Sequence, residues 1–91
     1  MHPTAALATI NDPDYRFSDR VDALVGLAGW LGRGGFYPAD FARIDDAAMR
    51  AFEEGREDLP DVDPWPYAMS VQDALVNGEL ASVEALEGGA Q

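Results

Sequence analysis

The chain has 91 residues, with 17 acidic side chains against six arginines, no lysine and no cysteine, which gives a formal net charge of −11. This charge excludes direct nucleic-acid binding, which needs a basic patch, and the lack of cysteine excludes disulfides and thiolate metal sites. Without a long apolar run or a basic leader, we expect one cytoplasmic domain over residues 1–91 that makes no membrane contact.

Residues 1–17 are predicted to form an N-terminal arm. Residues 5–10 fit either a short helix or a strand, and the Asn-Asp-Pro-Asp sequence at 11–14 has the composition of a turn. Tyr15 and Phe17 are the aromatic residues expected to anchor this arm on the rest of the domain.

The first clear helix is predicted from Ser18, a favourable N-cap, to about Leu31. Its apolar residues cover most of the helical circumference, which is typical of a helix packed on several sides. The glycine-rich stretch 32–35 then ends the helix, because glycine adopts left-handed backbone angles at little cost. A phosphate-binding loop is excluded here, since the glycines follow a helix and no lysine is present.

A second helix is predicted over residues 39–54, between Pro38 and Gly55, with apolar side chains on one face. Residues 56–67 follow as a long acidic loop. Three prolines in this loop disfavour helix and favour an extended path.

Ser70 is predicted to cap a third helix over residues 71–76. The apolar positions change phase at 77–78, so residues 79–87 are expected to form a separate short helix, followed by a frayed tail at 88–91. The sequence therefore predicts an all-α fold, a small bundle of three main helices plus a short C-terminal helix, with the acidic loop before the third. A small strand near the N-terminus is the alternative.

The side chains offer little for catalysis or metal binding. There is no cysteine or lysine, and the single histidine, His2, lies at the N-terminus. Asp61 and Asp63 have the spacing of calcium ligands, but Trp65 occupies the next ligand position. We therefore expect a non-enzymatic protein without a cofactor or metal, with a carboxylate-based enzyme as the remote alternative.

Acidic residues between 40 and 63 give the strongest functional indication, with nine acids and three arginines in that range. Asp46, Glu53 and Glu57 fall along one side of the second predicted helix. A surface rich in carboxylates can imitate a phosphate backbone and bind a basic protein. Arg50 lies in the same row, so an ordinary solvated face crossed by salt bridges is the alternative interpretation.

Trp65 and Tyr67 stand among prolines and are candidate recognition residues, because rigid exposed aromatic rings bind with little ordering cost. The alternative is that both rings fold onto a thin core. Trp30 points away from the leucine face of its helix, so it is either a core residue on the second side or an exposed anchor.

The sequence thus predicts an acidic binding protein that inhibits or regulates a basic, nucleic-acid-handling protein, for example a phage-encoded inhibitor of host defence. The alternative is a small structural or assembly subunit of a homo-oligomer or larger complex, including a homodimer. The residues predicted to contact the partner are Asp46, Glu53, Glu57, Asp58, Asp61, Asp63, Trp30, Trp65 and Tyr67.

Overall fold

The computed structural model describes residues 2–38, 42–58 and 61–89, and within 79–89 it describes the backbone only. Every regular element in these residues is helical, which confirms the all-α class. In chain order the elements are α1 (Pro3–Asn11), α2 (Phe17–Gly32), α3 (Asp46–Gly55), a 3₁₀ turn (Arg56–Asp58) and α4 (Pro64–Gly89).

The N-terminal segment, for which helix and strand were both open, forms α1. Pro3 occupies its first turn, where the missing N–H breaks no helical hydrogen bond. Leu7 and Ile10 are buried in the core, so α1 packs against the rest of the domain. The predicted turn follows it, and the Asp14 N–H donates to the Asp12 Oδ1 at 2.9 Å.

The start of α2 differs from the prediction. Ser18 is not its N-cap, because the helix begins at Phe17, the N-cap position is Arg16, and no side chain caps it. The centres of the Phe17 and Phe52 rings lie 5.7 Å apart, and this contact with α3 holds Phe17 at the start of α2. Tyr15, the other predicted anchor, stays half exposed. The predicted glycine stop is confirmed, since α2 ends at Gly32.

The second predicted helix begins later than expected. Residues 42–45 are not helical and α3 begins at Asp46, so the predicted helical start is wrong for these residues. The rest of that prediction, at 39–41, lies outside the described residues. The α-helix ends at Gly55 as predicted, but residues 56–58, which were predicted to begin an extended loop, continue as the 3₁₀ turn.

Two side-chain amides explain why residues 42–45 leave the helix. Asn11 of α1 accepts the Asp45 N–H at 2.9 Å and donates to the Arg43 carbonyl at 3.0 Å. Gln72 of α4 accepts the Ile44 N–H at 2.9 Å and donates to the Ile44 carbonyl at 3.4 Å. Because these backbone groups find partners on other helices, the segment needs no helical bonds of its own.

The C-terminal part of the chain forms one helix of 26 residues, so the predicted break at 77–78 and the separate helix at 79–87 are wrong. Buried positions along α4 keep an alternating spacing of four and three residues through Gly78, which continues the packed side of the helix across the predicted break. These positions are Pro64, Ala68, Val71, Leu75 and Gly78. Of the predicted frayed tail, residues 88–89 are helical and residues 90–91 lie outside the described residues.

The beginning of α4 also corrects the predicted extended loop. Pro64, Trp65 and Pro66 lie in the first turn of the helix, where N–H groups have no intrahelical partner and proline is tolerated. Asp63 caps this turn, since its Oδ1 accepts the Trp65 N–H at 3.0 Å. Ser70, the predicted cap, is an exposed position inside the helix.

The core includes one charged side chain. Among the described residues, Arg20 is the only buried charged group, with 8% of its surface exposed. Its Nε–H donates to the Ile10 carbonyl at 2.9 Å, and its guanidinium lies 5.8 Å from the Phe52 ring centre. Arg20 thereby joins α1, α2 and α3. The largest fully buried apolar side chains are Phe52, Ile10, Leu24, Leu27, Ile44, Leu75 and Val71.

Candidate partner-binding surface

The charges are unevenly divided along the chain. Residues 1–56, the mixed segment, contain all six arginines and nine of the acids. Residues 57–91, the base-free segment, contain the other eight acids and no arginine, lysine or histidine. The base-free segment therefore carries most of the net charge in little more than a third of the chain.

The structure leaves all six acids predicted to contact a partner on the surface. Asp46 begins α3 and Glu53 lies two turns later on the same side, about 10 Å along the axis. The other four are exposed residues of the 3₁₀ turn and of the approach to α4. They are Glu57, Asp58, Asp61 and Asp63.

Arg50 lies between Asp46 and Glu53 on α3 and is also exposed. In the part of the chain that the structure describes, it forms no ion pair with either acid. A base in this row still lowers the local negative potential. The four acids between positions 57 and 63 have no base among them, although the exposed Arg56 directly precedes Glu57, so they form the more strongly negative part of the surface.

The predicted aromatic residues have different environments. Trp65 is partly buried and packs against the core, whereas Tyr67 keeps 39% of its surface exposed. The alternative interpretation, in which both rings fold onto the core, therefore holds for Trp65 but not for Tyr67. Trp30 is also partly buried, at the C-terminal end of α2.

Trp30 organises the turn that follows α2. Its Nε1–H donates to the Phe36 carbonyl at 2.8 Å, and the two rings meet edge to face at 5.2 Å. Gly35 lies directly under the indole, where a Cβ atom would collide with the ring. The Trp30 indole is therefore engaged within the protein.

Phe36 is an exposed aromatic residue that is not among the predicted contact residues. With 63% of its surface exposed, it is the most exposed large apolar side chain in the described residues. The available signal was an aromatic pair, Phe36-Tyr37, placed between two glycines and a proline. That pattern indicates a rigid turn carrying aromatic rings, but it does not reveal which ring faces solvent.

Tyr37 connects this turn to α4. Its ring packs on Gly78, at which an added Cβ would lie 2.7 Å from the Tyr37 Cε1. Tyr67 and Gly78 are eleven residues apart, close to three helical turns, so they lie on the same side of α4, about 16 Å apart along its axis. Tyr67 and the contact of Tyr37 with Gly78 therefore lie on one side of α4. Phe36 is next to Tyr37 in the sequence, and we call these three residues the aromatic line.

Little else in the described residues offers a site. One shallow groove of about 180 Å³ has no titratable side chain in its lining, which consists of Thr4, Leu7, Ala8, Asn11, Pro38 and Ala42. Over the described ranges, no three His, Asp or Glu side chains are grouped to hold a metal ion. None of the described helices combines the length and apolar character needed to cross a membrane.

Comparisons with protein-family models, with curated proteins and with solved structures give no match.

Proposed function

We propose that this protein is a non-enzymatic acidic binding protein that inhibits or regulates a positively charged, nucleic-acid-handling protein. The observation that carries the proposal is the base-free segment, whose eight acids have no cationic residue among them. Four of these acids, Glu57, Asp58, Asp61 and Asp63, are exposed at the junction of α3 and α4.

Electrostatics explains why this arrangement favours a basic partner. Exposed carboxylates without a nearby base attract cationic surfaces over about one Debye length, ~8 Å at physiological salt. Such fields raise association rates more than they strengthen the final complex. Proteins that bind phosphate backbones carry clusters of lysine and arginine, and a surface rich in carboxylates is complementary to those clusters.

The first experiment is an affinity capture from a lysate of the cells that encode the protein, or of their host, with stepwise salt elution and mass spectrometry. We expect a nucleic-acid-handling protein that elutes at moderate salt. Recovery of the bait alone, or of a complex that resists high salt, would contradict the proposal and favour the structural-subunit alternative.

A matched pair of variants tests the location of the charge. The test variant replaces the four acids Glu57, Asp58, Asp61 and Asp63 with their amides. The control variant makes the same charge change in the mixed segment, at four other exposed acids: Asp14, Asp19, Asp22 and Glu54. We expect the test variant to slow association with the captured partner by about tenfold and to flatten its salt dependence.

The control variant should change the association rate much less. Equal slowing by the two variants would show that net charge alone matters, and unchanged association of both would remove the electrostatic mechanism.

A further inference from the structure

The turn after α2 presents Phe36 to solvent in a fixed position. Gly34 has a φ of +80°, and the Gly34 and Gly35 N–H groups bond to the carbonyls of Leu31 and Trp30 at 3.1 and 2.9 Å. This is the hydrogen-bond pattern of a Schellman motif, which ends a helix in one defined geometry.

Trp30 contacts both the backbone and the ring of Phe36. The indole N–H bonds to the Phe36 carbonyl, and the indole meets the Phe36 ring edge to face. Such contacts usually belong to a buried residue, yet the Phe36 side chain remains 63% exposed. An aromatic ring that is ordered before binding loses little conformational entropy when a partner covers it.

We infer that Phe36, supported by Trp30 and flanked by Tyr37, is the anchor that enters an apolar pocket on a positively charged protein partner. The inference rests on the proposed function for the charge of that partner. It adds the aromatic line to the binding surface and makes Trp30 a positioning residue instead of a contact residue.

One observation connects Phe36 with a basic partner. Tyr37, the neighbour of Phe36, packs on Gly78 of α4, a helix whose sequence contains four acids and no base, so a partner that covers Phe36 and Tyr37 lies beside a negatively charged helix. The size of this surface also suits an interface: Tyr67 and Gly78 are about 16 Å apart along α4, which is shorter than the width of a patch of ~800 Å², the area that each protein contributes to a standard interface.

A second copy of this chain is the disfavoured occupant. Two copies that met along α4 would bring two base-free segments together, and like charges facing each other weaken association. A partner with lysine or arginine around an apolar pocket would instead gain from the same charges.

The experiment uses the full-length protein with a photo-crosslinking phenylalanine analogue in place of Phe36. The control carries the analogue in place of Tyr15, which is 50% exposed and lies outside the aromatic line. Both are irradiated in a lysate of the cells that encode the protein, or of their host, and the products are identified by mass spectrometry. We expect position 36 alone to crosslink, to one protein of positive net charge.

Binding of the purified partner is then measured for three substitutions. Phe36→Ala should weaken affinity at least tenfold, and Tyr15→Ala should leave it within twofold. Arg33→Gln removes an exposed base three residues before Phe36, so at low salt it should strengthen binding to a basic partner. Circular dichroism melting checks that each variant is folded.

Several results would overturn the inference. They are the absence of a crosslink at position 36, equal crosslinking at positions 36 and 15, a product containing only this chain, or weaker binding after Arg33→Gln. If the amide variant of the four acids slows association while Phe36→Ala changes nothing, the proposed function stands and the anchor is wrong. If neither change has an effect, both fail.

Discussion

The mixed segment and the base-free segment use their charged side chains differently. In the mixed segment, Arg20 lies inside the protein, where it bonds to the Ile10 carbonyl and covers the Phe52 ring. In the base-free segment, the described acids are all exposed, and only Asp63 forms a hydrogen bond within the protein, to the Trp65 N–H. Among the described residues, one of the six arginines is buried and no acid is, so their surface carries a larger surplus of negative charge than a count of these residues implies.

The two segments are joined by neutral groups in the described residues. Gln72 of the base-free segment bonds to both backbone groups of Ile44 in the mixed segment. Apolar side chains of α4, such as Val71 and Leu75, complete the contact with the core. The groups that join the two segments are therefore different from the exposed acids. We expect the interior polar groups to determine the stability of the fold and the exposed acids to determine the rate of association.

The largest effect is expected for Arg20→Met, which removes the buried charge but keeps an unbranched apolar side chain against Phe52. The Ile10 carbonyl at the end of α1 loses a charged donor, and we expect the free energy of unfolding to fall by about 2 kcal/mol. Urea denaturation measures this change.

The control is Arg33→Met, which makes the same charge change at an exposed position and should alter stability by less than about 0.5 kcal/mol. If both variants lower the free energy of unfolding by the same amount, interior and surface arginines do not differ in their contribution to stability.

Local signals explain which parts of the fold could be predicted. The end of α2 follows from its glycines, because Gly34 takes the left-handed φ that the signal in the adjacent residues predicts. The end of α3 coincides with Gly55, but the chain continues there as a 3₁₀ turn. The non-helical residues before α3 could not be predicted, since the amides that hold them belong to Asn11 and Gln72, about 30 residues away in sequence.

The candidate surface was predictable to a similar degree. The acidic residues are visible in the sequence because charged side chains are seldom buried. The identity of the exposed aromatic residue depends on packing: Trp65 contacts the core, whereas Phe36, eight residues before Ile44, does not. The prediction of an extended proline loop failed because Pro64 and Pro66 both fall in a first helical turn.

A smaller effect is expected for Gln72→Ala, which tests whether the neutral amide joins the two segments. The substitution leaves the Ile44 N–H and carbonyl without their side-chain partner in a partly buried position. We expect a loss of about 1–2 kcal/mol in urea denaturation. Asp73→Ala, at the next and exposed position of α4, serves as the control and should have little effect.

If Gln72→Ala proves as mild as Asp73→Ala, the amide does not contribute to stability and apolar packing alone joins the segments.

The smallest effect is expected at Asp63. Among the described acids of the base-free segment, it alone has both a hydrogen bond within the protein and a predicted role in binding. Asp63→Ala removes the acceptor for the Trp65 N–H and should lower the free energy of unfolding by about 1 kcal/mol. Asp63→Asn keeps an acceptor at the same place, so its stability should match that of the unchanged protein. Thermal and urea unfolding of the two variants measure the difference.

The pair also separates the two roles of Asp63. If Asp63→Asn slows association with the captured partner while leaving stability unchanged, the charge acts in binding and the side-chain oxygen acts in folding. If Asp63→Asn instead destabilises the protein as much as Asp63→Ala, then the negative charge at the start of α4 stabilises the helix by itself. In that event the charge of Asp63, like that of Arg20, contributes to folding. Exposed acids of the base-free segment would then not act in association alone.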